Sequence, residues 1–543
     1  MSRTAVFQTA AALFVFGGLQ IGFGGDEASK PGAKTGAGNK PLTKVYFGVD
    51  ACRECHGKDK EVPPDKALYY RGTEVSIWDE HDKHKDATSV LLGERSRQMA
   101  KILGYKKRLT EEPRCVNCHG VYIEEGAEVH AESYGTVQQR EKSGVSCVAC
   151  HGAVAEWVNE HGKILATKGK SWKDLSPARK EREFGLRNLW DPATRAELCC
   201  SCHVGNAAQG KVVTHEMYAA GHPPLPGIEI VAFGEAMPRH WRTFSEKVAA
   251  RPDFKNRFKM NKSYDADRDG LEQTRMATIG AVVAFRQSLR LVAAQARTSQ
   301  HDAAEKQVHA GQSEGRSWPE LAAFDCYACH HDLKKDSWRQ KRGYTGMPGR
   351  PALRPWPMTL LELGLQQMES SGRQKQQRAI LDQHMKALRA TFDAQPFGEP
   401  AKLASTAAKL DTWTGALIEE LKSRPFDRVS CGKSINALLA LPEHQTLDFD
   451  SARQVGWAFQ TLLADVDPGK LKEAEWKASL KTLESRLKLD LIKGQKQIVP
   501  DFLNETLGRI AEYDPDQFAS LMKKIAIQYK TKTQQPAAGP TSP

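Results

Sequence analysis

The chain has 543 residues, of which 40% are hydrophobic, an ordinary content for a globular protein. Its length suggests about two to four domains, and its formal net charge is +12. A basic excess can indicate nucleic-acid binding. However, the sequence has neither a basic helix nor an aromatic stacking motif, which excludes nucleic acid as a partner.

The N-terminus has the features of a secretion signal. Residues 1–24 combine a basic residue, Arg3, an apolar stretch over residues 5–16, and the small residues Gly22 and Gly24 at a cleavage site. Polar residues interrupt the apolar stretch, so an uncleaved N-terminal membrane anchor is the alternative interpretation. Residues 25–44 are rich in Gly, Lys and Ala and predict a flexible linker.

The pattern Cys-x-x-Cys-His occurs five times and uses ten of the twelve cysteines. Two thiols at this spacing can add to the two vinyl groups of one haem, and the next histidine then faces the iron as its first axial, or proximal, ligand. Zinc ribbons and disulfides also use Cys-x-x-Cys, but neither needs a histidine at the next position. The motifs therefore predict five covalently bound haem c groups. The attachment cysteines are Cys52, Cys55, Cys115, Cys118, Cys147, Cys150, Cys199, Cys202, Cys326 and Cys329, and the proximal histidines are His56, His119, His151, His203 and His330.

Haem attachment changes how the composition and the N-terminus are interpreted. Because haem c is attached to exported chains, the motifs and residues 1–24 together predict a periplasmic protein, with anchoring through the N-terminus as the alternative. The basic excess then mainly balances about ten propionate charges. Haems also supply apolar surface, so we predict a mainly α fold of the multihaem cytochrome c type, with sparse secondary structure around the haems.

Stretches around the first four motifs resemble one cytochrome family. Trp78 precedes His84, the third motif reads Gly-Val-Ser-Cys147-Val-Ala-Cys-His-Gly, and Trp157 follows it. In these features residues 45–235 are similar to the cytochrome c-554-like group of tetrahaem electron-transfer proteins. The resemblance implies a tetrahaem module over these residues and a second, distal histidine on most of the irons. The distal ligands that it implies are His84, His161, His215 and His222.

The distal ligand of the fifth haem stays open at this point. His81 also competes with His84, because residues three apart on a helix share a face. The c-554 pattern includes one five-coordinate haem, so an open iron is allowed. The candidates for the fifth position are His240, His309, His331 and the weaker His130.

The remaining sequence predicts helices. Residues 236–355 are expected to form a helical segment that carries the fifth haem, with a long amphipathic helix over about 271–296. Residues 356–529 are expected to form a haem-free helical domain, and residues 530–543 a disordered tail. Three helices are predicted within the domain of residues 356–529. One begins at a cap at Ser451-x-x-Gln454 and ends at Pro468-Gly469, one has an apolar stripe over 380–392, and one passes through Leu503, Leu507 and Ile510.

Three further features could form sites of other kinds. Cys200 and Cys431 lie outside the motif pairs and are either a disulfide or buried thiols. The run of residues 265–270 opens like a calcium loop, but Met276 stands where the bidentate glutamate belongs, which favours a solvated acidic turn. His384 lies on an apolar helix face and is interpreted as a packing residue.

These features favour an electron carrier, in which haems pass single electrons between redox partner proteins. No catalytic residue is assigned. The alternative is a multihaem oxidoreductase that acts on a small nitrogen or sulfur species at one five-coordinate haem. Such an enzyme needs a vacant distal position with an acid, base or anion-binding group beside it. The C-terminal helices would add a surface for a partner protein.

Overall fold

The computed structural model of the protein is mainly α-helical, which confirms the predicted fold class. It describes residues 42–57, 62, 70–163, 172, 175–250, 252, 271–305, 318–330, 333, 335, 347, 349–368, 370–487 and 512–533. Within these residues the single sheet has two parallel strands, β1 (Val45–Tyr46) and β2 (Glu128–Val129), with Val45 opposite Glu128. Short helices with long connections surround this sheet, as expected for a region organised by haems.

The helices differ in length between the two halves of the chain. The first thirteen are α1 (Asp50–His56), α2 (Glu74–His81), α3 (Glu94–Ile102), α4 (Pro113–His119), α5 (Ala131–Tyr134), α6 (Val137–Ser143), α7 (Cys147–His151), α8 (Ala155–Glu160), α9 (Pro177–Phe184), α10 (Pro192–His203), α11 (His215–Ala219), α12 (Ile230–Ala236) and α13 (Phe244–Ala250). The later helices are α14 (Glu272–Glu305), α15 (Trp356–Thr359), α16 (Leu361–Gln366), α17 (Ser371–Asp393), α18 (Pro400–Lys422), α19 (Arg428–His444), α20 (Phe449–Val466), α21 (Ala474–Leu487) and α22 (Pro515–Thr533).

Four of the five motifs lie at the end of a short helix. α1, α4, α7 and α10 each end at the motif histidine. Since residues three apart on a helix share one face, both thiols of a motif point to the same side. Local sequence explains two of these helices: Pro113 and Pro192 occupy first-turn positions, and the side chains of Glu112 and Asp191 cap them. The fifth motif instead forms a 3-10 turn, Cys326–Ala328.

The longest helix, α14, is part of the core. It covers the predicted residues 271–296 almost entirely and continues to Glu305. Ile279, Val282 and Leu289 are at most 2% exposed, and the helix packs against α10 and α18. By length and composition Glu272–Arg297 could cross a membrane, but 78% of the apolar window is buried inside the protein. Such burial is typical of a core helix.

One hydrophobic core joins the fourth-motif helix to the C-terminal helices. It extends from Ala193 in α10 to Tyr529 in α22 and includes α14. Asp465 of α20 accepts hydrogen bonds from the backbone nitrogen (2.7 Å) and Oγ1 (2.8 Å) of Thr274, so it caps the first turn of α14 from another part of the chain. The described residues from Leu42 onward form one compact unit. The boundaries placed at residues 235 and 355 stay predictions.

The C-terminal helices follow the apolar periodicity of the sequence, but two of the predictions made for this region were wrong. α17 contains the stripe at 380–392, and α20 ends at Val466, just before Pro468. The predicted cap of α20 was wrong: Asp448 caps the helix by accepting from the backbone nitrogen of Ser451 at 2.7 Å, so Ser451 lies within the first turn.

The predicted tail is the second correction. Residues 530–533 belong to α22, because the buried side chains of Ile525 and Tyr529 anchor its last turns in the core. The stripe of Leu503, Leu507 and Ile510, the acidic run 265–270 and residues 534–543 lie outside the described residues.

Candidate functional site

The first motif histidine faces a distant histidine. The ring centroids of His56, at the end of α1, and His161, after α8, are 6.1 Å apart, and the ring planes are inclined by 15°. Nδ1 of His56 contacts Oε2 of Glu74 at 3.1 Å. Nδ1 of His161 donates to the carbonyl oxygen of Val158 at 2.9 Å. Because both Nδ1 atoms are in hydrogen bonds, the two Nε2 atoms remain available to bind a metal ion between the rings.

The second motif is arranged in the same way. The centroids of His119 and His222 are 6.2 Å apart at an inclination of 75°. Nδ1 of His119 donates to the carbonyl oxygen of Ala87 at 2.8 Å, and Nδ1 of His222 donates to that of Pro223 at 2.7 Å. A hydrogen bond from Nδ1 to a carbonyl fixes the proton on that atom, so Nε2 carries a lone pair.

The third motif histidine faces one of the residues that the sequence left open. His151 and His240 have centroids 6.3 Å apart and planes inclined by 67°. The chain around His151 is held by Arg187, whose Nη1 donates to the carbonyl oxygens of Ala149 (2.7 Å) and Cys150 (2.6 Å). His240 had been a candidate for the fifth haem, and the structure corrects this: it places His240 opposite His151 of the third motif.

The fourth motif histidine faces His84, and the fifth faces His215. His84 and His203 have centroids 6.4 Å apart at 88°, whereas His215 and His330 have centroids 6.2 Å apart at 31°. Nδ1 of His84 contacts Oδ1 of the buried Asp82 at 2.9 Å. Each of the five motif histidines is thus opposite one other histidine.

The spacing within the pairs suits a metal ion. Two imidazoles that bind opposite sides of one ion at about 2.0–2.1 Å have ring centroids about 6.3 Å apart. The five observed separations run from 6.1 to 6.4 Å. Beside each pair lie the two cysteines of the motif, and all twelve cysteines of the chain, which are all described, are free of disulfides. The residues can therefore hold haem iron between two histidines and haem vinyl groups on two thiols.

Burial determines the charge of most of these rings. It lowers the pKa of His151 to about 3, and the pKa values of His203 and His222 to about 4. The same cause lowers the pKa of His119, His161 and His240. Because burial disfavours the imidazolium ion, these rings are neutral at pH 7, the form that binds metal.

Two rings have a carboxylate neighbour instead. The hydrogen bond with Glu74 raises the pKa of His56 against the effect of burial. For His84 burial lowers the pKa, but the buried Asp82 more than offsets it, so that the pKa is raised. A carboxylate on Nδ1 orients an imidazole and makes its Nε2 a stronger ligand.

Thiols of different motifs lie next to each other. Cys52 of the first motif is in hydrogen-bond contact with Cys147 of the third, and Cys118 of the second with Cys202 of the fourth. Cys199 and Cys202 are close enough to Cys150 of the third motif to raise its pKa, although burial is the larger cause. The first four motifs therefore meet in the order first, third, fourth, second.

A cavity of about 460 Å³ adjoins the fourth motif. His203, Phe285 and Leu289 line it, together with Arg354 and Trp356. Nε and Nη2 of Arg354 and Nε1 of Trp356 are buried and have no hydrogen-bond partner among the described residues. Buried donors of this kind are satisfied by an added acceptor, and a carboxylate such as a haem propionate fits them.

The other histidines have different surroundings. His81 is exposed and lies beside Glu80, and His130 contacts Ser133 and Phe47. His309 and His331 lie outside the described residues. Cys431 is a buried thiol whose Sγ is 3.5 Å from Oγ1 of Thr274.

Sequence patterns had no signal for two features of the site. His240 is about 90 positions from His151, so no local spacing could relate them. Arg354 follows the fifth motif at no diagnostic spacing, so no local pattern indicated that its buried Nε and Nη2 would lie beside the cavity. That His84, His161, His215 and His222 bind iron stays a prediction, which their positions opposite motif histidines support.

Comparison with known proteins identifies part of this region. The family model described as cytochrome c554 and c-prime matches residues 51–152, which contain the first three motifs. The resemblance expected from the sequence is thereby confirmed for these residues. No curated protein and no solved structure gave a significant match.

Proposed function

We propose that this chain, whose residues 51–152 match the cytochrome c554 and c-prime family model, is a pentahaem cytochrome that carries electrons between redox partner proteins in the periplasm. The observation that carries this proposal is the presence of a second histidine opposite each motif histidine, at 6.1 to 6.4 Å between ring centroids. A haem held in this way supplies one-electron oxidation and reduction without a bound substrate.

The protein would hold each haem with two cysteines and two histidines. The pairs are His56 with His161, His119 with His222, His151 with His240, His203 with His84, and His330 with His215. Bis-histidine ligation gives lower potentials than ligation by histidine and methionine. The proposed carrier would therefore work at low potential.

The surroundings of the rings support a transfer role. Backbone carbonyls on Nδ1 of His119, His161 and His222 fix the ring orientation and the tautomer. The carboxylates of Glu74 and Asp82 do the same for His56 and His84 and place negative charge beside the site. Rigid, oriented ligands keep the geometry alike in both redox states, which favours fast electron exchange.

The alternative of a multihaem oxidoreductase receives less support. Such an enzyme needs one iron with a vacant distal position. In the described part of the chain every motif histidine has a histidine opposite it, including the third, which faces His240, a residue that the sequence had left as a candidate for the fifth haem. We therefore propose a carrier and assign no catalytic residue.

The location and the partners are also proposals. The basic, apolar and small-residue pattern of residues 1–24 supports export, with N-terminal anchoring as the alternative. These residues lie outside the described part of the chain. The donor and the acceptor would be redox proteins.

Two spectroscopic measurements on the purified full-length protein test the proposal. We expect the pyridine haemochrome assay to count five haems per chain and electron paramagnetic resonance of the ferric protein to show low-spin signals alone. Cys326→Ser with Cys329→Ser should lower the haem count to four in the covalent fraction, whereas the control variant Cys431→Ser should keep five. A count other than five, or a high-spin haem that binds nitric oxide, would contradict the proposal.

A further inference from the structure

The short helix α11 and the turn after it carry two histidines that face different motifs. His215, the first residue of α11, is opposite His330 of the fifth motif. His222, seven positions later, is opposite His119 of the second motif. One short segment therefore supplies a ligand position to two sites.

Hydrogen bonds hold this segment in place. The side chain of Thr214 caps α11 by accepting from the backbone nitrogen of Met217 at 3.3 Å. The backbone nitrogen of His222 donates to the carbonyl oxygen of Met217 at 2.9 Å. Gly221 has φ of 111°, which a residue with a Cβ rarely adopts, and this conformation turns His222 away from the helix direction.

The same segment is joined to the chain that leads into the fifth motif. Oε1 of Glu320 accepts from the backbone nitrogens of His215 (2.8 Å) and Ala322 (3.0 Å). The guanidinium of Arg354 lies over the ring of Tyr218 at 5.6 Å from its centroid, and Tyr218 lies 6.1 Å from the ring of His222. The positive charge of Arg354 also lies close enough to Cys326 of the fifth motif to offset part of the rise that burial causes in its pKa, so Arg354 and Tyr218 link the fifth motif to His222.

The contacts between thiols extend from the second motif in the other direction. Cys118 contacts Cys202 of the fourth motif, Cys150 lies near Cys199, and Cys147 contacts Cys52. We propose that the fifth site adjoins the second through α11 and its turn, so that the fifth site ends a line in the order first, third, fourth, second, fifth. This inference rests on the proposed function, since it takes each histidine pair as a haem site.

Exposure supports the fifth site as an end of the line. Cys329 and His330 are exposed, and so is Cys55 of the first motif, whereas the cysteines and histidines of the third and fourth motifs are all partly or fully buried. A partner protein can therefore approach the two ends more closely than the middle. The added fifth motif gives the c554-like region a new terminus for electron exchange, beside the C-terminal helices.

A methionine ligand at the second site provides a reporter to test this order. In the full-length holoprotein, His222→Met should give one haem the absorption and higher potential of histidine–methionine ligation. On this background the fifth haem is removed by Cys326→Ser with Cys329→Ser, and the matched variant removes the first haem by Cys52→Ser with Cys55→Ser. The measurements are the line width of the reporter's ferric resonance and its midpoint potential.

We expect loss of the fifth haem to narrow the reporter resonance and to shift its midpoint, because an adjacent paramagnetic and charged group is gone. Loss of the first haem should change neither, because two other sites lie between. Equal effects of the two removals, or no effect of removing the fifth haem, would overturn the order while leaving the proposed function intact.

A second reporter variant tests the same order if His222→Met does not acquire methionine ligation. His215→Met marks the fifth site, and Cys115→Ser with Cys118→Ser then removes the second haem, with the same expected narrowing and shift. If neither variant acquires methionine ligation although the haem count stays at five, the assignment of His215 and His222 as ligands is wrong. That result overturns the ligand assignments of the proposed function together with this inference.

Discussion

The imidazole rings of His151 and His240 face each other at 6.3 Å between centroids and 67° between planes, although about 90 positions separate them in the chain. This pair completes the set of five, because the other four motif histidines face residues that a family resemblance had already indicated. It also bears most directly on whether the protein carries electrons or acts on a substrate, since an unpaired third motif would leave an open iron.

Removal of the His240 ring should open the third site. We expect His240→Ala to convert one haem from low spin to high spin, because alanine offers no ligand at the distal position. Electron paramagnetic resonance of the ferric protein measures the change, and added imidazole should restore the low-spin signal. His81→Ala, an exposed histidine beside Glu80, serves as the control and should leave the spectrum unchanged. A fully low-spin H240A protein would refute the pairing.

The buried carboxylate of Asp82 should lower the potential of the fourth haem. Its Oδ1 is 2.9 Å from Nδ1 of His84, and Asp82→Asn removes the negative charge while keeping the shape. Since reduction adds negative charge to the site, the neutral variant should raise one midpoint by on the order of 60 mV, about tenfold in the equilibrium constant. A potentiometric titration measures this. The control is Asp79→Asn. Asp79 is more exposed than Asp82 and forms ion pairs with Arg53 and Lys85, so its loss of charge should shift the midpoint potentials less. Equal shifts in the two variants would contradict the assignment of Asp82 to the fourth haem.

The buried side chain of Leu462 in α20 should contribute strongly to the free energy of unfolding. Leu462 is 0% exposed in the core shared with α14, so Leu462→Ala leaves a cavity and should reduce the free energy of unfolding by about 2–5 kcal/mol. Denaturant unfolding followed by far-ultraviolet circular dichroism provides the measurement. Val429 is 69% exposed, and the same type of change, Val429→Ala, should alter the free energy by at most about 0.5 kcal/mol. Similar losses in the two variants would show that this core is not formed as described.

The buried carboxyl group of Glu229 should make the free energy of unfolding decrease as the pH rises. Burial raises its pKa to about 7, although its carboxylate accepts from the backbone nitrogens of Val231 and Ala232. The folded state thus favours the protonated acid: the stabilisation is fully present below about pH 4.5, the ordinary value, and is lost as the pH rises through 7.

The variant Glu229→Gln cannot titrate and should lack this loss. Relative to the native protein it should gain up to about 3 kcal/mol between pH 4.5 and pH 8, because burial holds the pKa of the native carboxyl at about 7, well above its ordinary value of 4.5. Unfolding free energies measured across this range test it. Glu235→Gln, at an exposed position in α12, the helix that Glu229 caps, is the control. Parallel pH profiles for native protein and E229Q would refute the buried acid.

Local patterns in the sequence were enough to predict haem attachment positions and to locate most of the long helices. The thiol spacing of Cys326 and Cys329 is a property of four consecutive residues, and it needs no knowledge of the rest of the chain. The apolar periodicity of α14, α17 and α20 likewise repeats every three or four residues, so the buried faces could be recognised. The cap of α20 was misplaced because both Asp448 and Ser451 are good capping residues, and burial of the neighbouring core decided between them.

The sequence by itself predicted which residues bind haem and determined which segments form helices, because these properties depend on neighbours within a few positions. The tertiary structure decided which histidine faces which motif, as His151 with His240 and His330 with His215, because those pairs join residues about 90 and 115 positions apart. It also decided that His215 of α11 and His222 in the turn after it face histidines of two different motifs. Such relationships arise when helices pack on one core, and no local pattern encodes them.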